Sequence, residues 1–425
     1  MSHLLRQGGF YLVTGYCLLR LYELLWAQKT YPFMAQIVMA AAACYLGARA
    51  WLLIKQGPHI NPSEQAVFGL LALYAFSLAG QHTFIGSMDD MEEINSFSFT
   101  FTVLVNDVFW LLAGAAFARC LLDHSLKRAI VIMVVMVAIV LNASGEDSLF
   151  VDYYAIVADS SLKSLSHLNV AEFAVCLVFI AYASVKRFRV VIFLVGIVVL
   201  FLLGGRSSLY FTIFSIGAYE LLAGGRRSVL YFSVLGLTLA GLFLLALQLG
   251  WLDYEDKFVQ KMLMVDGIEE DGSYQERQYI TSRSLALLSQ QWLIGNPTLI
   301  VSNFGAVGSY LHNLLSVWQF FGIVPFLATT AILIACVLRM RKALASTPGP
   351  LVVFGSLMLI YTVVSVIASK FFGFRFLWFS IGFWMLRPEV LAQRRSTRGR
   401  STVARRLPSD SRKRRKGKYS RPMKT

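Results

Sequence analysis

The sequence predicts an all-α fold, that of a polytopic integral membrane protein with about twelve transmembrane helices. Of its 425 residues 57% are hydrophobic and only 15% are charged. The apolar residues come in blocks long enough to cross a bilayer, broken by charge, Gly or Pro. Lys and Arg collect in every second connection between blocks, the asymmetry expected of cytoplasmic loops.

Spans are expected at 10–27, 33–54, 65–85, 97–118, 129–142, 168–185, 190–204, 207–223, 229–250, 311–337, 351–369 and 372–386. The first follows MSHLLRQ, which lacks a small-residue cleavage site and so reads as a retained helix. The fifth is short, and the seventh and eighth are parted by little more than Gly204 and Gly205. The chain therefore divides into helices 1–9 at 1–250, a large outer loop at 251–310, helices 10–12 at 311–386 and a basic tail at 387–425.

With the N-terminus inside, the inner connections hold Lys55; Arg119, Lys127 and Arg128; Lys186, Arg187 and Arg189; Arg226 and Arg227; and Arg339, Arg341 and Lys342. Outer connections differ: 86–96 is purely acidic, and 143–168 has one lysine among several acids. Both termini are thus expected in the cytoplasm. Residues 387–425 carry 15 Lys and Arg against Glu389 and Asp410, so nearly all of the +15 formal charge lies there and not on the body. This excludes a nucleic-acid surface on the body. The tail is expected to be disordered, either as an orientation signal or touching anionic lipid headgroups. Five cysteines, none in a CxxC pair, predict neither a disulfide nor a thiolate metal site.

Against this charge rule the outer cations Arg206, Arg277, Arg283, Lys370 and Arg375 stand out, because several sit beside glycines, hydroxyls or a histidine. LLGGRSSLYF (202–211) turns the chain with Gly204, Gly205, Arg206, Ser207 and Ser208 alone. It reads as a phosphate cradle, with a serine capping the next helix and the helix N-terminus joining the arginine, or as a Gly turn with an interfacial Arg anchor. The loop 251–310 is too long for a simple connector and predicts its own amphipathic helix from near Ser273, with Thr281, Leu285, Leu288 and Trp292 as its apolar stripe. Arg277 extends that stripe toward the bundle, whereas Arg283 falls on another face.

In GSYLHNLLSVWQFFGIVPFL (308–327), His312 stands where a membrane helix begins, with Ser316 and Gln319 on its face of that helix. Such a histidine is either a hydrogen-bonded structural group or a base. An imidazole near its ordinary pKa suits proton abstraction from a hydroxyl. Glu276 is a rival base but has Arg277 as an adjacent salt partner. His82, His167 and the acids of 86–96 show no metal-ligand spacing, and no Walker, Rossmann or nucleotide-sugar motif is present.

Taken in chain order, GGRSS between two helices, ERQYITSR…W…GNP in the outer loop and LHNLLSVWQFFGIVPFL resemble the bacterial O-antigen polymerase and O-antigen ligase superfamily. The resemblance covers residues 190 to 340 by motif and the rest by helix count, and it departs after GNP, where the expected glycine pair is reduced to Gly295. It implies a glycosyltransferase of the bacterial inner membrane with a periplasmic active site. The reaction would need no metal, cofactor or nucleotide sugar, and its donor and acceptor would be undecaprenyl-pyrophosphate-linked oligosaccharides, with a chain-length regulator as a further partner. By matching position, Arg206, Arg277 and Arg283 would bind pyrophosphate and His312 would be the catalytic base, with Asn313, Ser207, Ser208 and Arg375 in support. Polymerase is the leading expectation; a ligase acting on lipid A core differs in acceptor, and a third relative attaches glycans to secreted protein. A transporter or flippase is the alternative of another class, for which Asp107 beside Asn106, with Glu23, Glu172 and Glu220 nearer helix ends, could form a relay. No repeated half of the kind transporters show is visible.

Overall fold

A computed structural model describes residues 2–26, 62–84, 96–120, 122–143, 151, 167–224, 236, 241, 245, 248–249, 272–288, 292–296, 311–345 and 348–386. Among these residues the fold is all-helical. The expected span 33–54, all but a few positions of 229–250, and the tail at 387–425 lie outside them. The described helices are α1 (Ser2–Trp26), α2 (Pro62–Phe84), α3 (Ser96–Phe117), α4 (Leu126–Ala143), α5 (His167–Ser184), α6 (Arg189–Leu202), α7 (Arg206–Gly224), α8 (Gly272–Leu288), α9 (Leu315–Phe321), α10 (Ile323–Leu344), α11 (Pro350–Ala368) and α12 (Arg375–Met385).

Burial follows the sequence pattern. Helix α5 is apolar on every side and is buried along its length from Val170, the signature of a central helix. It is wrapped by α1, α4, α6 and α11. Helix α4 buries only the stripe Ala129, Ile132, Met133, Met136 and Val140, while Ile130, Val131, Val134 and Val135 point outward. An outward face of valine and isoleucine has no counterpart in a water-soluble monomer and is consistent with a lipid boundary. By length and composition, Thr100–Phe117, Leu126–Ala143, Ile323–Leu344 and Pro350–Ala368 are able to cross a membrane. Helices α6 and α12 have 14 and 11 residues. At 1.5 Å per residue they are about 21 and 17 Å long, short of a ~30 Å hydrocarbon core.

Helices α3 and α12 make the closest crossing. A methyl group added at Gly114 would run into the Phe379 carbonyl, and one at Gly382 into that of Leu111. Small residues on both sides let the two backbones touch, which supplies the packing that membrane helices need in the absence of a hydrophobic drive between them. Fully buried Asp107 lies at this α3–α12 interface beside Trp378, whose indole N–H donates to the Phe372 carbonyl at 3.0 Å.

The expected single span 311–337 is two helices. Gly322, with φ 89° and ψ 177°, breaks it between α9 and α10 in a region that only glycine occupies readily. The break fits against residues 292–296: Gly295, also at positive φ (74°), has no room for a Cβ beside the Gly322 nitrogen and the Gln319 carbonyl. Carbonyls freed by the break find donors. Asn296 N–H donates to Gln319 O (2.7 Å), Gln81 Nε2 of α2 to Phe320 O (2.5 Å) and to Ile294 O (3.0 Å), and Ser77 Oγ to Phe321 O (2.5 Å). On the other strand of this junction the Trp292 carbonyl accepts from the Ile323 amide (3.1 Å) and the Trp318 indole (2.8 Å). Non-helical backbone survives inside a membrane bundle only when it is satisfied in this way.

Of the cations expected inside, Arg119, Arg189 and Arg339 are among the described residues and lie at the opposite end from this junction. Arg339 donates to the carbonyls of Trp384 (2.8 Å) and Met385 (3.3 Å) and to Ser63, Arg119 to Leu386 O (3.5 Å), and Arg189 pairs with Glu220 (2.9 Å). Gly322→Ala should destabilise the fold by about 2–3 kcal/mol, read as a lower melting temperature in detergent, whereas Gly80→Ala, which meets open space, should leave it unchanged.

Candidate functional site

Residues 311–314 lead into α9, and the segment 311–316 is pinned at three points. Leu311 N–H donates to Gln319 Oε1 (2.9 Å), Leu314 N–H to the Val366 carbonyl of α11 (2.7 Å), and Ser316 Oγ accepts from Phe372 N–H (2.8 Å). Ser316 and Gln319 are fully buried, so the polar face expected beside His312 does look into the bundle. Its hydrogen bonds hold the backbone around the histidine. Asn313 Oδ1 accepts from Leu315 N–H (3.0 Å) and so serves the start of its own helix.

Helix α8 docks on this segment. Ile280 and Leu288 pack with Leu311, joined by Leu315 and Trp318. The stripe expected at Thr281, Leu285, Leu288 and Trp292 is therefore off by one residue in its upper part: Leu285 is 44% and Trp292 55% exposed, while Ile280 and Ser284 are buried. Lines starting at 280 and 281 both satisfy helical spacing, and only the partner, Leu311, decides between them. Arg277 stands one turn before Ile280 on the docked side, and Glu276 is exposed. Arg283 is exposed on another face, stacked 5.0 Å over the Tyr279 ring, and is not brought to the site.

Half-buried His312 lies within the field of both Arg277 and Lys370. Burial first, and then these two cations, lower its pKa from 6.5 to about 4. An imidazole near its ordinary value, the sequence expectation, is thereby corrected: each contribution disfavours the charged ring. At neutral pH the ring is neutral.

Lys370 and Arg375 share a carboxylate that the sequence reading set aside as a helix-end acid. Glu172 of α5, 2% exposed, receives Lys370 Nζ at 2.5 Å on one oxygen and Arg375 Nε at 3.5 Å on the other. The Arg375 guanidinium also lies 4.5 Å over the Phe173 ring. The available signal was an acid at the head of a fully buried helix, which requires partners, in a chain whose outer cations included two with none assigned.

Arg206 opens α7 from the same end. Gly204 (φ 63°) makes the turn, a methyl at Gly205 would collide with the Ala171 side chain next to Glu172, and Ser208 Oγ accepts from the Tyr361 hydroxyl (3.2 Å). Because α7 starts at Arg206, Ser207 and Ser208 stand inside its first turn and neither caps it, contrary to expectation. Ser208 is turned to Tyr361, which lies in the field of Glu172 and Arg375. The structure thus gathers Arg206, Arg277, His312, Lys370 and Arg375 at one end of the bundle. Buried polar groups there, Ser284 Oγ and Gln319 Nε2 among them, have no hydrogen-bond partner among the described residues. Cations and spare donors around a neutral histidine form an environment for an anion next to a group that loses a proton. No group of three His, Cys, Asp or Glu converges among the described residues.

The chain matches no protein-family model and no curated relative by sequence.

The His312 ring resonances, assigned by their loss in His312→Gln, should titrate near 4 and move upward in Arg277→Gln, since removing a cation favours the imidazolium. A midpoint at 6.5 in wild type would show the site open to water. The unfolded chain binds this proton more readily than the folded one, so His312 makes stability rise with pH between about 4 and 6.5.

Proposed function

We propose that this chain is a glycosyltransferase of the bacterial inner membrane, a polymerase that moves a glycan from undecaprenyl pyrophosphate to a hydroxyl of another lipid-linked repeat at the periplasmic face. The topology that goes with this reading has twelve spans, both termini in the cytoplasm and the loop 251–310 outside. The observation that carries it is the convergence of a half-buried, neutral His312 with Arg277 and Lys370, at the end of the bundle where the charge rule puts the outside. The motif resemblance supplies the substrate class.

The chemistry asks little of the protein beyond placement and charge. The acceptor hydroxyl attacks the anomeric carbon while the bond from that carbon to the pyrophosphate oxygen breaks. The bonding pair leaves with the pyrophosphate, and the hydroxyl proton passes to His312. Direct displacement inverts the anomeric centre. Arg277 and Arg206 stabilise the charge that grows on the departing pyrophosphate, a task that suits a group charged at every working pH and able to bond two phosphate oxygens at once. A dianion seated among these cations offsets the fields that hold the His312 pKa down. The base therefore strengthens when the donor is in place.

The ligase differs only in acceptor. The break at Gly322 is a feature that transporters share, but there it leaves carbonyls to coordinate cargo. Here the carbonyls of Gln319, Phe320 and Phe321 are taken by Asn296, Gln81 and Ser77, which favours a fixed platform for His312.

Purified protein in nanodiscs, supplied with a short lipid-pyrophosphate-linked oligosaccharide, should yield a ladder of repeats. His312→Ala should slow it by roughly 10²–10⁴-fold, the usual contribution of a general base, and Arg206→Ala should also suppress it. A product that requires added lipid A core would identify the ligase; a ladder that survives loss of His312 would overturn the mechanism.

A further inference from the structure

The Glu172 carboxylate is shared unequally. Arg375 meets one oxygen through its Nε at 3.5 Å and lays its plane on the Phe173 ring. Lys370 meets the other oxygen with its Nζ at 2.5 Å and lies 5.8 Å over the Phe374 ring, and an ammonium has three protons to donate. The Lys370 side chain is 11% exposed, so its remaining protons are turned from bulk water toward the protein. The backbone fixes where it stands. The Lys370 amide donates to Ser365 O (2.8 Å), the Phe372 amide to Ser316 Oγ (2.8 Å), and the Leu314 amide to Val366 O (2.7 Å), so the segment 365–372 lies against 312–316. A buried cation with spare donors is thereby carried to the histidine.

We propose that Lys370 is a further phosphate-binding residue of this site, held beside His312 by the buried carboxylate of Glu172, and that Arg375 is the second counter-charge of that carboxylate. The proposal rests on reading the site as one that receives a pyrophosphate group. A buried carboxylate with one cation would lose its partner whenever that cation turned to a ligand. With two cations, Lys370 can lend its free protons to a phosphate oxygen while Arg375 continues to neutralise Glu172. A flexible ammonium point charge suits this moving contact; a planar guanidinium clamped on a ring suits the fixed one. Among the described residues, the charged and titratable groups facing His312 are then Arg277 from α8 and Lys370 from the α11–α12 connection, with Glu172 of α5 behind Lys370.

The alternative is that Lys370 serves only to neutralise Glu172, and a double substitution separates the two. Inorganic pyrophosphate binding to the full chain in nanodiscs is measured by calorimetry for wild type, Lys370→Gln and Glu172→Gln with Lys370→Gln. The double variant removes one charge of each sign and leaves Arg375, stacked on Phe173, without its carboxylate, so its folding is checked by its melting temperature. The expected result is a folded double variant that binds pyrophosphate about tenfold more weakly than wild type, together with a His312 titration midpoint that rises because a facing cation is gone. If the double variant binds as wild type does and only the single variant fails, Lys370 is a structural counter-ion and the proposal falls while the anion site stands. If wild type binds no pyrophosphate, the anion reading falls and takes the proposal with it. Binding that depends on Lys370 in a protein that makes no glycan ladder would uphold the proposal and remove the polymerase reading.

Discussion

The junction of Gly295 and Gly322 is the constraint on which the outer end depends. A membrane helix cannot simply stop inside the bundle, because each freed carbonyl needs a donor and hydrocarbon offers none. Here the helix stops at Gly322, and the segment 292–296 folds against the break closely enough that neither glycine could carry a side chain. The Gln81 and Ser77 side chains of α2 close the remaining carbonyls. In return the loop that follows α8 is fastened to the bundle through Trp292 and Asn296, and α8 is drawn onto Leu311.

From that fastening follows the electrostatics of the candidate site. Docking of Ile280 and Leu288 sets the rotation of α8 and so turns Arg277 toward His312. Gln319, whose backbone carbonyl serves the break, uses its side chain to hold the Leu311 amide one residue before the histidine. Structure and charge are coupled through one short helix. Among the described residues the neutral His312 ring then stands with cations that the buried Glu172 carboxylate balances in part, a net positive arrangement.

Much of the fold was legible in the sequence because the bilayer leaves few choices. Apolar length and alternating Lys and Arg marked the helices seen at α1 to α7 and α10 to α12, and Ser273 marked the start of α8 within one residue. Less legible were features set by a partner distant in sequence. The α8 stripe slipped by one residue because two adjacent lines on a helix fit the same spacing. The serines after Arg206 looked like caps, since a cap and a first-turn residue differ only in where the backbone turns. Glu172 passed as a helix-end acid because its cations lie some two hundred positions downstream.

By itself, the sequence determined that this chain is built of apolar helices, that its basic residues are segregated, and that a histidine and several arginines stand apart from that rule. Those properties are local sums of transfer free energy and charge, and each can be read without knowing any neighbour. Tertiary structure alone decided that Arg277 and Lys370 face His312 while Arg283 stacks on Tyr279, that Arg375 is bound to Glu172, and that the helix following His312 breaks at Gly322. Each of these depends on contacts between segments far apart in the chain, and electrostatic shifts grow steeply with proximity and burial, which only packing sets.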